Sequence, residues 1–234
     1  MDWNRPLGIL MLDTKFPRIP GDVGNPDTFP FPVKKLLVEG ADPKRVVVEG
    51  DPTLLEPFLA GAEALEREGA AAITTSCGFL AMFQRELAAR VKIPVFASSL
   101  LQVKLVSGTL AAGKRVGIMT ADSRNLGERH FRGVGIEEIP KVVYGMEGTH
   151  FHDVFVGNRP QLDQELACQN MVDTAKRMIS EQPDTGAIVF ECTNMPPYAQ
   201  AVSQATGLPV YDITTLAAYI MSGTARAPFS TTTI

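Results

Sequence analysis

Nowhere in the 234 residues does an apolar run approach the ~20 positions of a membrane-spanning helix. Cysteine and histidine occur three times each and tryptophan once. An odd, widely spaced set of thiols draws no disulfide framework, and reduced thiols in a cytoplasmic protein are the expectation. The opening stretch MDWNRPLGILML has neither the charged region nor the small-residue cleavage site of a secretory signal. Basic charge is also short: 22 Lys and Arg stand against 26 Asp and Glu, for a net charge of -4, and they are scattered. That leaves no electrostatic footprint for nucleic acid or an anionic membrane. With 45% apolar and 21% charged residues the chain reads as an ordinary globular protein with a sizeable core.

What is present is a stretch that occurs twice. Sliding GAAAITTSCGFLAMFQRELAARVKIPVF by 115 positions onto TGAIVFECTNMPPYAQAVSQATGLPVY sets Ala72 on Ala187, Ile73 on Ile188 and Cys77 on Cys192. The same offset sets Pro94 on Pro209, Leu101 on Leu216 and Ser107-Gly108-Thr109 on Ser222-Gly223-Thr224. Each copy is an apolar strand, a cysteine at its end, a helix, and a short strand opened by proline. A duplicated unit of this kind is expected to bring the two cysteines face to face across one active site.

The remaining pattern alternates strands with helices. Leu7–Leu12 is an apolar run suited to a strand buried on both faces. Residues 13–32 hold five prolines and two glycines and form a long loop, expected to be ordered near the site because Phe16, Phe29 and Phe31 can pack. Val33–Val38 and Arg45–Glu49 are β-rich. Thr53–Glu68 and Phe79–Arg90 have helical spacing, and a helix over Leu100–Val106 ends at Gly108. In the second half, Arg115–Met119 echoes the first strand, Ala121–Phe131 looks helical, Glu137–Tyr144 is β-rich and Gln161–Glu181 is a helix. Ala187–Phe190, Pro196–Ala205, Pro209–Tyr211 and Thr215–Met221 complete a strand, helix, strand, helix series. This predicts an α/β fold of two pseudo-symmetric lobes with parallel-rich sheets. The boundaries are 1–110 plus a C-terminal helix at about 212–234 for one lobe, and 111–211 for the other.

The position of each cysteine decides its chemistry. Ligands of parallel α/β sheets bind outside the carboxyl ends of the strands, where Cys77 and Cys192 both lie. A helix starting there favours negative charge and is expected to lower both thiol pKa values. Its free N–H groups suit a substrate carboxylate. A lone cysteine in an apolar strand is usually a small buried hydrophobe. Two at equivalent ends, flanked by Thr75, Ser76 and Gly78 on one side and Thr193 and Asn194 on the other, point to catalysis. Cys168 has no such partner and reads as packing. His150 and His152 could share one face of a strand with Asp153 beside them, but no third ligand is identifiable and no metal is expected. His130 reads as a surface residue.

The segments Thr75-Ser-Cys-Gly-Phe79 and Glu191-Cys-Thr-Asn194 resemble the two cysteine motifs of the aspartate/glutamate/hydantoin racemase superfamily, and the likeness runs over nearly the whole chain. The resemblance implies two α/β lobes with the site in the cleft between them, a last helix returning to the first lobe, a homodimer, and no cofactor. It implies Cys77 and Cys192 as the two bases that invert an α-carbon, one taking a proton while the other returns one. It also implies Thr75, Ser76, Gly78, Thr193 and Asn194 near the carboxylate of a small-molecule substrate. Asp13 and Thr14, with Ser123 and Asn125 in the second lobe, occupy places where family members keep polar substrate contacts. The implied function is a cofactor-independent racemase or epimerase of an amino acid or related carboxylate. The alternatives are a maleate isomerase-like or arylmalonate decarboxylase-like enzyme, or a carboxylate-binding protein without turnover. Two departures from the family pattern stand out: Glu191, where a small residue commonly precedes the second cysteine, and the proline-rich loop after Asp13.

Overall fold

The computed structural model describes residues 3–226. The first lobe contains β1 (Leu7–Met11), β2 (Val33–Leu37), α1 (Leu55–Arg67), β3 (Ala72–Thr75), α2 (Gln84–Arg90), β4 (Val95–Phe96) and α3 (Gln102–Ser107). The chain continues through β5 (Arg115–Thr120), α4 (Glu128–Val134), β6 (Lys141–Gly145), α5 (His150–Phe155), α6 (Gln164–Glu181), β7 (Thr185–Phe190), α7 (Ala199–Thr206), β8 (Val210–Tyr211) and α8 (Ile213–Thr224). Two four-stranded sheets result, in the orders β2-β1-β3-β4 and β6-β5-β7-β8. Every pairing in them is parallel. The strand order of the second lobe repeats that of the first, as the sequence duplication predicts.

Burial explains the strand patterns. All of β1 and β3 is buried, and so is β5 beyond its first residue, because helices cover both faces of a parallel sheet. At the outer edge, β2 keeps its lysines exposed, a charge pattern that discourages further strand pairing. The largest core does not stop at the lobe boundary. Leu10, Phe58, Ile73 and Leu100 are continuous with Ile118, Phe131 and Val189 of the second lobe. Across the chain's other end, α8 lies on the first sheet, where Ile213, Leu216, Ala217 and Met221 join Leu7, Ile9 and Phe96. Gln102 fastens that return, donating to the Asp212 carbonyl at 2.8 Å and accepting from Thr215 at 2.9 Å. The C-terminal part of the expected terminal segment, residues 227–234, lies outside the described residues.

Several local expectations are corrected. Arg45–Glu49 is not a strand: Lys44–Glu49 forms a π-helical turn that closes at Gly50, whose φ is 55°. Asp42 accepts from the Arg45 N–H at 2.9 Å and Pro43 presets the first turn, which outweighs the β preference of three consecutive valines. After Cys77 the chain runs as a 3-10 segment over Gly78–Phe83 before α2 begins. Residues 121–127 are not helical, against the expected helix over Ala121–Phe131, because the polar side chains there are committed elsewhere. Asp122 pairs with Arg124 and His152, and Ser123 binds Glu147. Helix α4 starts only at Glu128, where the His130 ring accepts from the Gly127 N–H. His130 is therefore fully buried, edge-on to Phe79 at 5.1 Å, and burial pulls its pKa down to about 4. His150 and His152 sit on a helix rather than a strand, since Thr149 caps α5. Cys168 is partly buried on α6 against the second lobe's core.

Candidate active site

The ends of β3 and β7 meet. Ser76 donates its N–H to the Leu10 carbonyl, and Glu191 donates its own to the Met119 carbonyl, so each strand end is pinned to its neighbour before the cysteine follows. Thr193 then crosses the lobes, donating to the Ser76 carbonyl at 2.7 Å. Ser99 does the same from the other direction, to the Phe190 carbonyl. At this junction Gly78 lies directly against the backbone carbonyl and the carboxyl group of Glu191. A pocket opens beside the contact, lined by Ser76, Cys77, Gly78, Glu191, Cys192 and Asn194 as its polar floor. Its walls are Leu12, Phe16, Pro43, Val47, Phe79, Ala121, Phe155 and Val156.

The two cysteines thus open onto one pocket, together with Ser76, Gly78 and Asn194. Thr75 and Thr193 do not line it. The Thr75 hydroxyl donates to the Cys77 and Ala97 carbonyls, which makes it part of the frame. Asp13 is exposed, Thr14 accepts from Arg18 at 3.1 Å, and Ser123 and Asn125 stay outside the pocket lining. The loop of residues 13–32 supplies more than its first two residues. Phe16 packs edge-on to Phe155 at 5.0 Å, and the Lys15 N–H donates to Asn158 at 2.7 Å, so the loop spans the cleft.

Residue 191 is the group whose role the sequence left open. Glu191 is fully buried; its Oε2 accepts from the Thr120 hydroxyl at 2.6 Å, while Oε1 has no hydrogen-bond partner. Burial raises its pKa to about 8, so the carboxyl is mostly protonated at neutral pH. The thiols follow the same physics. Both keep some accessible surface but lie deep in protein, and burial pushes both pKa values up, with Glu191 the next contributor in each case. This reverses the expectation of thiols activated by helix ends. The segment after Cys77 is a 3-10 run, and one N–H facing each sulfur, from Phe79 and from Asn194, does not offset desolvation. The resting pocket therefore holds three protonated acids around an apolar cavity. Among the described residues, no group of three or more His, Cys, Asp or Glu side chains is placed to hold a metal ion, and no helix is long and apolar enough to cross a membrane.

Comparison with known proteins agrees with this architecture. A family model described as Asp/Glu/Hydantoin racemase matches residues 47–220. A dimethylsulfoniopropionate lyase of Durusdinium sp. clade D is 34% identical over 225 residues, covering 93% of this chain and 74% of that protein. Dimethylsulfoniopropionate lyase 7 of Emiliania huxleyi is 31% identical over 220 residues, covering 89% of this chain and 64% of that protein. The chain thus spans less than two thirds of the Emiliania protein's length. Among solved structures, a mutant arylmalonate decarboxylase in a sulfate-associated form aligns with a TM-score of 0.61 at 20% identity, covering 96% of this chain and 97% of that one. A glutamate racemase of Bacillus anthracis aligns with the same TM-score at 14% identity, covering 95% and 82%. At such identities the structural likeness concerns the fold alone.

Proposed function

Because the chain belongs to the Asp/Glu/hydantoin racemase family, we propose that it is a cofactor-independent enzyme that removes a proton next to a carboxylate. We further propose that the reaction is an elimination, with dimethylsulfoniopropionate as the substrate to test first. One observation carries this reading: a buried acid, Glu191, without a partner on Oε1, lines the same pocket as the two thiols, walled by Phe16, Phe155 and Val156. A symmetric two-base inversion has no use for a third acid on one side only. A substrate with a sulfonium group does. Its methyl groups suit apolar and aromatic walls, and its positive charge is attracted to ring faces. Brought into a desolvated pocket, that charge also favours ionisation of the neighbouring acids, which burial otherwise holds protonated. The substrate thereby creates the base that acts on it.

The step balances without a cofactor. A base takes the proton from the carbon beside the carboxylate, and the C–H electron pair becomes the C=C bond. The C–S bond breaks with its electrons on sulfur, so dimethyl sulfide and acrylate leave. The abstracted proton passes to water when the base resets. A second reading, inversion of an α-carbon, keeps support from the equivalent positions of Cys77 and Cys192 at the two strand ends.

One experiment separates them. In D2O, proton NMR with dimethylsulfoniopropionate should show acrylate signals growing as substrate is lost, while enantiopure amino acids keep their α-proton signals. Exchange of an amino-acid α-proton without any elimination would overturn the lyase reading. Cys77→Ser and Cys192→Ser are each expected to lower kcat/KM by about 10³-fold, the scale of lost general acid–base catalysis. Thermal melting should move little, because the sulfur-to-oxygen change is small.

A further inference from the structure

The proline-rich loop places a buried carboxylate behind the second thiol. Asp22 is 1% exposed although it lies in an irregular segment between Pro20 and Pro26. Its Oδ1 accepts from Arg18 at 2.8 Å and from the Gly24 N–H at 2.7 Å. Its Oδ2 accepts from Asn194 Nδ2 at 2.5 Å, across 172 positions of sequence. A carboxylate can only accept, so the NH2 of the Asn194 amide must face Asp22. The amide oxygen is thereby turned the other way, 3.4 Å from Cys192 Sγ. An oxygen in that place accepts a hydrogen bond from a thiol and offers nothing to a thiolate. The Val23 N–H, bonded to the Thr193 carbonyl, holds the same loop against the same turn.

We propose that Asp22 is a positioning residue, which locks the Asn194 amide so that Cys192 is held as a protonated, hydrogen-donating thiol. The division of labour follows: Cys77 takes the proton, and Cys192 stays protonated as a hydrogen-bond donor in the same pocket. Charges around the two sulfurs have the matching sign. Glu191 opposes ionisation of both thiols; beyond it, Arg18 favours the ionised form of Cys77, whereas Asp22 and Cys77 itself oppose ionisation of Cys192. The backbone N–H of Asn194 acts in the other direction. The role assigned to Asp22 rests on the proposed thiol chemistry only in what the thiol then does, since its hold on Cys192 is a property of the substrate-free protein.

The test needs no substrate. Alkylation of each cysteine by iodoacetamide is followed against pH in the full chain, with Cys77 and Cys192 resolved by peptide mass. Asp22→Asn should move the Cys192 profile to lower pH by about one unit, a roughly 10-fold faster reaction at fixed pH, and move the Cys77 profile by clearly less, through the Arg18 that it releases. Equal movement of both thiols would show a loosened pocket, and no movement of Cys192 would show no coupling; either result overturns the assignment. Arg18→Gln serves where the first variant fails to fold. It leaves the Asp22 charge without its cation and should shift Cys192 to higher pH, with Cys77 rising too. An unmoved or lowered Cys192 in that variant also overturns it. Failure of the lyase reading shows separately, as absence of turnover by the unaltered enzyme.

Discussion

Gly78→Ala is expected to lower the melting temperature by about 5–10 °C and to reduce turnover by about 10²-fold. Glycine is required at this position by close approach, not by backbone conformation. A methyl group built on it overlaps the Glu191 backbone carbonyl and its Oε1. The carbonyl cannot retreat, because the Glu191 N–H is bonded to Met119 and the strand before it is paired on both sides. Overpacking of this kind costs about 1–3 kcal/mol, and about 2–4 °C per kcal/mol is the scale for a chain of this size. Activity falls as well, since the displaced residues carry the carboxyl group and Cys192. Gly223→Ala is the control. That position is helical with nothing near the added methyl, so it should gain a few tenths of a kcal/mol from helix propensity. If the two alanine variants melt alike, the two strand ends are not in contact in solution.

Glu191→Gln should remove a slope from the pH dependence of stability. The carboxyl titrates at about 8 in the folded chain against an ordinary value of 4.5. Below 4.5 both folded and unfolded states carry the proton, and the buried acid is at no disadvantage. Between 4.5 and 8 the unfolded chain releases its proton while the folded chain retains it, so stability drains away as pH rises through that window. Above 8 both are ionised and the loss is complete, amounting to about 5 kcal/mol as an upper bound. Glutamine occupies the same space without the penalty, so the variant should be more stable than the parent at pH 8 and equal to it near pH 4.5. Urea unfolding at intervals from pH 4.5 to 9 measures this. Parallel curves for the two proteins would mean that Glu191 is solvated or ionised in the folded state. Turnover should fall by about 10²-fold in the same variant, separating what the residue does for stability from what it does for chemistry.

The larger architecture could be read from the chain because duplication and burial leave marks in sequence. Pairs such as Ile73 and Ile188, or Cys77 and Cys192, recur at one offset, and uninterrupted apolar runs announce strands covered on both faces. What could not be read depends on depth and on distant contacts. Three valines at 46–48 have β propensity, and only the Asp42-Pro43 start of the turn shows why they are helical. His130 looks like any polar helix residue until Phe79 is found against its ring. The direction of the thiol pKa shifts departs from the expected one for the same reason: a helix end is visible in sequence, and desolvation is not. Glu191 could be noticed as an unusual neighbour of Cys192, yet nothing local says that it is buried with one oxygen unpaired. Asp22 gave no signal at all, for its partner Asn194 lies at the other end of the chain.

The loop that spans the cleft has a consequence for durability. Peroxides and other oxidants attack the thiolate, and a protonated sulfur reacts slowly. With Phe16 against Phe155 and both thiols pushed toward the protonated form, the idle protein offers such reagents little to attack. Under the proposed elimination, vulnerability then coincides with turnover, when the cationic substrate ionises the acids it meets. Irreversible oxidation of this protein should accordingly track the number of catalytic cycles completed rather than the time spent in an oxidising medium.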